Sequence, residues 1–143
     1  MELRKRPVSE IMRTEVVTLS PDEALDLGQD IMRVGRLRHM PVVQEARLVG
    51  MISDRDLLST TLAKAMDFDG PSLRLFLRSI EVRSVMSRDL VCAAPETSLE
   101  EAARLLRDKG IGCLPVVDPE RRLLGLVTET DLLAAAYLDG SSP

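Results

Sequence analysis

The chain has 143 residues, enough for one compact domain or for two small halves that depend on each other. The net charge of −4 offers no general attraction to nucleic acid or anionic lipid. Aromatic residues make up only 2% of the chain, too few for the stacking surfaces of single-strand binders. We therefore predict neither a nucleic-acid partner nor a membrane partner.

The N-terminal sequence and the cysteines indicate the compartment. No apolar run approaches the roughly 18 residues of a membrane helix, and the first residues, MELRKRPVSE, lack the apolar stretch of a signal peptide. Cys92 and Cys113 form no C-x-x-C motif, and a single histidine argues against a zinc site. We expect a cytoplasmic protein with free thiols and with no metal or other cofactor.

The chain contains two copies of one template, 74 positions apart. The residues that recur as the identical type are Val8, Met12, Val17, Pro21, Leu25, Arg33, Pro41, Val42 and Val43 in the first copy, and Val82, Met86, Val91, Pro95, Leu99, Arg107, Pro115, Val116 and Val117 in the second. One extra residue then enters the second copy, so Gly50 matches Gly125. A tandem repeat of this length predicts a pseudo-twofold object whose copies bury each other's apolar faces.

Each copy follows the order strand, helix, strand, strand, helix. We predict buried first strands at 15–19 and 89–93, because short apolar runs there end at a proline. Apolar residues at helical spacing predict the first helix of each copy, around Leu25 and Leu99. Hairpin-like pairs then join 40–43 to 48–52 and 114–117 to 123–127, with a glycine at one fixed position that suggests a bulge or a close backbone approach.

The second helix of each copy is predicted to begin at Asp54 and Glu129, and the last helix to stop at Asp139. We divide the chain into a basic N-terminal tip at 1–7, a first repeat at 8–58, a connector at 59–81, a second repeat at 82–138 and a C-terminal tail at 139–143. The connector is too apolar for a flexible linker because it carries Leu73, Phe76, Leu77 and Ile80. We expect these residues to pack on the core or on a partner, which favours a homodimer.

A hydroxyl and a carboxylate recur three residues apart where each second helix begins, as Ser53 with Asp56 and Thr128 with Asp131. A helix N-terminus favours phosphate, and a carboxylate can accept hydrogen bonds from both hydroxyls of a ribose. The same pattern before an apolar helix is also a capping box. Recurrence beside the same glycine-containing strand favours a ligand-binding role, and the two roles can coexist.

The two copies differ in charge near this motif. Arg38, His39 and Arg55 make the first copy cationic, and their counterparts are the neutral Gly112, Cys113 and Thr130. Since charge-assisted donors strengthen phosphate binding, the Asp56 site should prefer ligands with more phosphates than the Asp131 site does. The alternative is that the arginines form a solvated edge.

Residues 38–43 (RHMPVV) and 112–117 (GCLPVV), with 49–57 (VGMISDRDL) and 124–132 (LGLVTETDL), resemble a paired CBS-domain module, and the resemblance covers 8–138. Residues 75–79, 91–93 and 111–117 are similar to bacterial acetoin-utilization-type CBS proteins. Those proteins carry a further ACT-like region, which we do not expect here because the sequence stops at Pro143. The resemblance implies an α/β (α+β) fold of two tandem pseudo-twofold β-α-β-β-α repeats packed through their sheets.

Members of this family are regulatory sensors that bind AMP, ADP, ATP or S-adenosylmethionine in the two clefts between the repeats, and two modules usually pair into a flat disc. The Ser/Thr and Asp contact phosphate and ribose, and the segment before the proline contacts the base. Carried over to this chain, the predicted ligand-binding residues are Thr18, Arg38, His39, Met40, Pro41, Ser53, Arg55, Asp56, Cys92, Gly112, Cys113, Leu114, Pro115, Thr128, Thr130 and Asp131.

We therefore predict a homodimeric sensor of adenosine-containing ligands, with no catalysis of its own, whose response is read by a regulated protein partner. One alternative is a constitutive dimerisation adaptor that binds no ligand because side chains fill its clefts. The other is a cryptic enzyme, which the sequence disfavours because no nucleophile or metal constellation accompanies the solitary His39. Cys92 and Cys113 are better interpreted as small core residues than as nucleophiles.

Overall fold

The computed structural model describes residues 2–65 and 69–138. The chain forms two compact units. The continuous unit is Val17–Leu90, and the split unit combines Met1–Val16 with Val91–Pro143. Each unit therefore takes the first segment of one sequence repeat and the remainder of the other.

The continuous unit contains a helix, a hairpin and two further helices. These are α1 (Leu25–Gly35), β1 (His39–Gln44), β2 (Arg47–Ser53), α2 (Asp54–Ala65) and α3 (Gly70–Arg78), followed by a 3-10 turn at Val82–Ser84. Strands β1 and β2 are antiparallel, with His39 opposite Ser53 and Val42 opposite Gly50. Glu45 and Ala46 both have positive φ, the backbone of a tight two-residue hairpin turn.

The split unit repeats this arrangement after its own 3-10 turns at Leu3–Lys5 and Val8–Glu10. Its later elements are α4 (Leu99–Lys109), β3 (Cys113–Val117), β4 (Leu123–Thr128) and α5 (Glu129–Tyr137). In the antiparallel β3–β4 hairpin, Cys113 lies opposite Thr128 and Val116 opposite Gly125. The predicted hairpins and helix starts are confirmed in both units, while the predicted stop at Asp139 lies outside the described residues.

The prediction of a full first strand in each copy is wrong. Leu19 forms only a single parallel bridge with Val42, and Ala93 forms the equivalent bridge with Val116. In the first of these, Leu19 N–H donates to the Pro41 carbonyl at 3.0 Å. Proline lacks an N–H, so Pro21, and likewise Pro95, cannot continue the ladder as a donor. The apolar pattern marked buried residues correctly, because Leu19 and Ala93 both lie in hydrophobic cores.

Each core receives a valine from the start of one repeat together with the later elements of the other. Val8 is fully buried among residues of α4, β3 and β4, and its N–H donates to the Thr97 carbonyl at 2.7 Å. Val82 is fully buried in the core of the continuous unit, and its N–H donates to the Glu23 carbonyl at 2.8 Å. This exchange explains why the compact units combine parts of both sequence repeats.

The fixed glycine of each hairpin lies under a close backbone approach, as predicted. A Cβ added to Gly125 would lie 2.7 Å from the Arg13 carbonyl oxygen, and one added to Gly50 would overlap the Met86 side chain. The strand register also shifts one residue further along, between Val42 and Val43 and at the equivalent place in β3. These glycines let residues 12–13 and 86–87 lie directly against β4 and β2.

The connector packs within the continuous unit, which confirms that it is not a flexible linker over its described part. The Asp69 side chain caps α3 by accepting from Ser72 N–H at 2.7 Å. The apolar residues packed into or against the core are Leu73, Phe76, Leu77 and Ile80. Leu77 is buried and the other three are half-buried against their own unit, so the connector gives the homodimer prediction less support than the sequence suggested. None of the helices in the described ranges combines the length and apolarity needed to cross a membrane.

Candidate functional site

The predicted ligand-binding residues divide into two groups, one in each unit. The Asp56 group is Thr18, Arg38, His39, Met40, Pro41, Ser53, Arg55 and Asp56 in the continuous unit. The Asp131 group is Cys92, Gly112, Cys113, Leu114, Pro115, Thr128, Thr130 and Asp131 in the split unit. In both units, the first residue of the hairpin lies opposite the residue that precedes the second helix. Each unit thus brings its own hydroxyl–carboxylate pair next to its own proline-containing strand.

The hydroxyl and carboxylate form a reciprocal cap in both units. Asp56 accepts from Ser53 N–H at 2.8 Å, while the Ser53 hydroxyl accepts from Asp56 N–H at 3.1 Å. The corresponding distances for Thr128 and Asp131 are 2.9 and 3.1 Å. The capping interpretation is therefore confirmed at both helix starts.

Capping leaves part of each pair available for a ligand. A hydroxyl that accepts from a backbone N–H can still donate its own hydrogen, and a carboxylate has a second oxygen. Asp56 uses one carboxylate oxygen in its cap, Oδ2. Among the described residues, no cation forms an ion pair with Asp56. This group can therefore offer a hydroxyl donor and a carboxylate oxygen side by side.

The side chains that flank the two prolines are core residues. Met40 and Leu114 have no exposed surface, and Pro41 and Pro115 are buried. These four residues therefore present little or no surface to a ligand in this structure. Thr18 and Arg38 are exposed, while Cys92 is half-buried beside Ala93.

His39 and Cys113 occupy equivalent positions opposite the capping hydroxyls. Burial lowers the pKa of His39 below its ordinary value, Asp54 partly opposes that shift, and the imidazole is therefore neutral at pH 7. Burial, aided by Asp131, raises the pKa of the Cys113 thiol to about 12. Burial also raises the pKa of Cys92. Neither thiol is a thiolate at neutral pH, which supports their interpretation as unreactive residues.

The structure adds one residue that sequence reasoning missed. The Arg13 guanidinium Nε lies 3.0 Å from Asp131 Oδ1. The sequence-based picture of a cationic Asp56 group and a neutral Asp131 group is therefore wrong for Asp131, which has a cation beside it. Arg13 belongs to the first sequence copy but to the split unit in space. The 74-residue offset aligns Arg13 with Ser87, and this difference between the copies was the signal available in the sequence.

The split unit also contains an apolar groove. It occupies about 470 Å³ in the split unit, and it is lined by Leu3, Leu99, Ala103, Leu132, Leu133 and Ala136 with a rim of charged side chains. None of the predicted ligand-binding residues lines it. The groove and the predicted ligand-binding residues are therefore separate features of this unit.

The pattern of the CBS domain matches residues 8–63 and 82–137. The chain belongs to the CBS-domain family. It is 34% identical over 125 residues to the CBS domain-containing protein YhcV of Bacillus subtilis, covering 87% of this chain and 81% of YhcV. It is also 32% identical over 129 residues to an inosine-5'-monophosphate dehydrogenase of Methanocaldococcus jannaschii, but spans only 23% of that enzyme's length and 90% of its own.

Solved CBS structures share this fold. A protein of Vibrio cholerae named for acetoin utilization (AcuB) superposes with a TM-score of 0.76 at 28% identity, covering 91% of this chain and 89% of that one. The structure of CBSX2 in complex with AMP superposes with a TM-score of 0.77 at 27% identity, covering 92% and 96%. The predicted tandem α/β CBS fold and the resemblance to acetoin-utilization-type proteins are confirmed.

Proposed function

We propose that this chain is a regulatory module that binds adenosine-containing ligands, drawn from AMP, ADP, ATP and S-adenosylmethionine. The observation that carries the proposal is the hydroxyl–carboxylate pair built twice, at the N-termini of α2 and α5, in a chain whose relative CBSX2 was solved with AMP. The module has no catalysis of its own, and a ligand acts by favouring one of two states that a protein partner distinguishes.

The chemistry of the two groups fits a nucleotide. The positive end of the helix dipole favours a phosphate, and the Ser53 or Thr128 hydroxyl adds a donor. The second carboxylate oxygen of Asp56 suits the two hydroxyls of a ribose. The nearby Arg38 and Arg55 add charge-assisted donors for phosphate in the continuous unit.

A melting screen with AMP, ADP, ATP and S-adenosylmethionine tests this function. A ligand present at ~100 times its dissociation constant should stabilise the folded state by roughly 2.7 kcal/mol. Guanosine monophosphate serves as the matched control, because it carries the same ribose and phosphate with a different base. The adaptor alternative predicts that none of these compounds raises the melting temperature, and that result would contradict the sensor function.

We also propose that the module is a homodimer formed through exposed apolar residues of α2 and α5. Leu58 and Leu133 are equivalent residues of the two helices and are 57% and 58% exposed. Leu62 and Tyr137 are again equivalent and are 62% and 81% exposed. Large apolar side chains exposed at the same positions of both repeats favour a second copy as the covering partner, because a twofold assembly pairs like surfaces.

Light scattering over a range of concentrations tests the homodimer. The wild-type chain should be dimeric at micromolar concentration, and Leu133→Glu with Tyr137→Glu should shift it towards monomer. Leu75→Glu is the matched control, since Leu75 is also exposed, at 61%, but lies on the connector helix α3. A monomeric wild-type protein at every concentration would contradict the homodimer.

A further inference from the structure

The Arg13–Asp131 ion pair distinguishes the two candidate sites. The backbone of Arg13 is fixed against β4 by two hydrogen bonds with Leu126, of 2.9 and 3.0 Å. Its side chain then reaches the first turn of α5, where Nε lies 3.0 Å from Asp131 Oδ1. The Asp131 side chain is only 11% exposed, whereas that of Arg13 is 62% exposed. A nearly buried carboxylate is therefore paired with a guanidinium that has room to move.

The continuous unit offers an internal comparison. Ser87 makes the same pair of backbone hydrogen bonds, of 3.0 and 2.8 Å, with Met51 of β2. Met51 and Leu126 are equivalent residues, so Ser87 and Arg13 hold the same backbone position in their units. The two sites thus differ at this position in side chain alone. A serine cannot make the ion pair that Arg13 makes.

Both oxygens of Asp131 already accept a hydrogen bond. Oδ2 accepts from Thr128 N–H at 2.9 Å, and Oδ1 accepts from Arg13. Each oxygen keeps a further lone pair, but a ribose hydroxyl that takes the position of Arg13 at Oδ1 breaks the ion pair. A neutral nucleoside then leaves Arg13 without an anion, whereas a nucleotide supplies one in its phosphate, to which arginine can donate two parallel hydrogen bonds.

We propose that Arg13 is a specificity-determining residue of the Asp131 site, which admits adenosine ligands that carry a phosphate and disfavours neutral adenosine. This inference rests on the proposed function and refines it for one of the two sites. At the Asp56 site no equivalent ion pair has to be broken. The cost of displacing a guanidinium from the carboxylate therefore applies to adenosine at the Asp131 site only.

Calorimetry with adenosine and AMP as probes tests the assignment in the full chain. An Asp56→Asn background reports the Asp131 site, and the new amide oxygen can still accept from Ser53 N–H. AMP should bind this protein at least tenfold more tightly than adenosine. Adding Arg13→Ser should weaken AMP, strengthen adenosine at least threefold and reduce the ratio of the two affinities at least fivefold.

Two further variants provide a converse test and a control. Ser87→Arg in an Asp131→Asn background should weaken adenosine at the Asp56 site. Arg104→Ser removes an exposed arginine of the same unit that pairs with Glu100 at 2.8 Å, and it should change neither affinity. If Arg13→Ser does not fold, Arg13→Gln removes the charge while keeping a long polar side chain, and the same fall in the ratio is expected.

The outcomes separate this inference from the function it rests on. If folded Arg13→Ser keeps the ratio of AMP affinity to adenosine affinity, or loses affinity for both probes equally, the role of Arg13 is overturned. The proposed function is not affected by that result. Loss of all binding in the Asp56→Asn background while the wild type binds AMP also overturns the role of Arg13, because the Asp131 site is then not a nucleotide site. Failure of the wild type to bind either probe overturns the proposed function and this inference together.

Discussion

Single residues in this chain are easiest to interpret by comparison with their partners in the other repeat. Arg13 and Ser87 share a backbone position, as do His39 and Cys113. Comparison between the two copies pairs Arg38 and Arg55 with neutral residues, a difference that the sequence alone shows. Arg13 was missed because it precedes its own repeat's helix and yet contacts a residue of the other repeat.

The two hairpin glycines should differ in their tolerance of alanine. At Gly125 the nearest atom to an added Cβ is the Arg13 carbonyl oxygen at 2.7 Å, which cannot move without shifting backbone. At Gly50 the nearest atoms belong to the flexible side chain of Met86. Gly125→Ala should lower the free energy of unfolding by about 1–3 kcal/mol, as overpacking does, and Gly50→Ala should lower it by less.

Urea unfolding of the two alanine variants measures this difference. The glycines have equivalent positions in equivalent hairpins, so each serves as the control for the other. An equal loss of stability in both variants would show that the backbone contact at Arg13 yields as easily as a methionine side chain, contrary to our account.

The helices begin in different ways although their templates match. Ser98 caps α4 by accepting from Glu101 N–H at 3.1 Å, whereas Ala24 stands at the N-cap of α1 and offers no side-chain acceptor. In α1 the Asp26 carboxylate accepts from Leu27 N–H at 2.9 Å instead. The equivalent backbone donor is thus satisfied in both helices by different side chains.

This difference predicts that two opposite substitutions at the N-caps change the stability by unequal amounts. Ser98→Ala should lower the free energy of unfolding by about 1 kcal/mol, since the Glu101 donor loses its acceptor. Ala24→Ser should raise it by much less than that, because the Leu27 donor already has a partner. Thermal unfolding of both variants checks the pair, and a gain from Ala24→Ser as large as the loss from Ser98→Ala would refute this explanation.

Helices and hairpins were the elements that the sequence predicted best. Their apolar stripes and turn residues are local signals, and the starts at Asp54 and Glu129 agree with the structure. The first strands were overpredicted because an apolar run shows that a segment is buried but not how many ladder bonds it makes. Leu19 and Ala93 are buried with one bridge each. Positive φ at Glu45 and Ala46 was likewise invisible to a rule that expects glycine in such turns.

The division of the whole chain into units could not be predicted from sequence similarity. Similarity groups Val8 with the first repeat and Val82 with the second, but each valine enters the core that contains the other repeat's hairpin. Such long-range exchange leaves no local pattern, because a buried valine looks the same in either core. The resemblance to the CBS family predicted more of the fold than the periodicity of apolar residues could.

Val8→Ala and Val82→Ala test this exchange. Each substitution removes buried methyl groups and should lower the free energy of unfolding by about 1.5–3 kcal/mol. Hydrogen exchange should speed up most in β3 and β4 for Val8→Ala, and most in β1 and β2 for Val82→Ala. A Val8→Ala variant in which exchange accelerates chiefly in β1 and β2 would contradict the division into units.

The central claim is that the carboxylates capping α2 and α5 also bind an adenosine ligand, and calorimetry with AMP tests it most directly. The decisive protein carries Asp56→Asn with Asp131→Asn, which keeps an oxygen acceptor at both caps. Its control carries Asp54→Asn with Glu129→Gln, which removes the same charge from exposed neighbours on the same helices. We predict that AMP binding is lost in the first protein and retained in the second. Equal AMP binding by both folded proteins would contradict the claim.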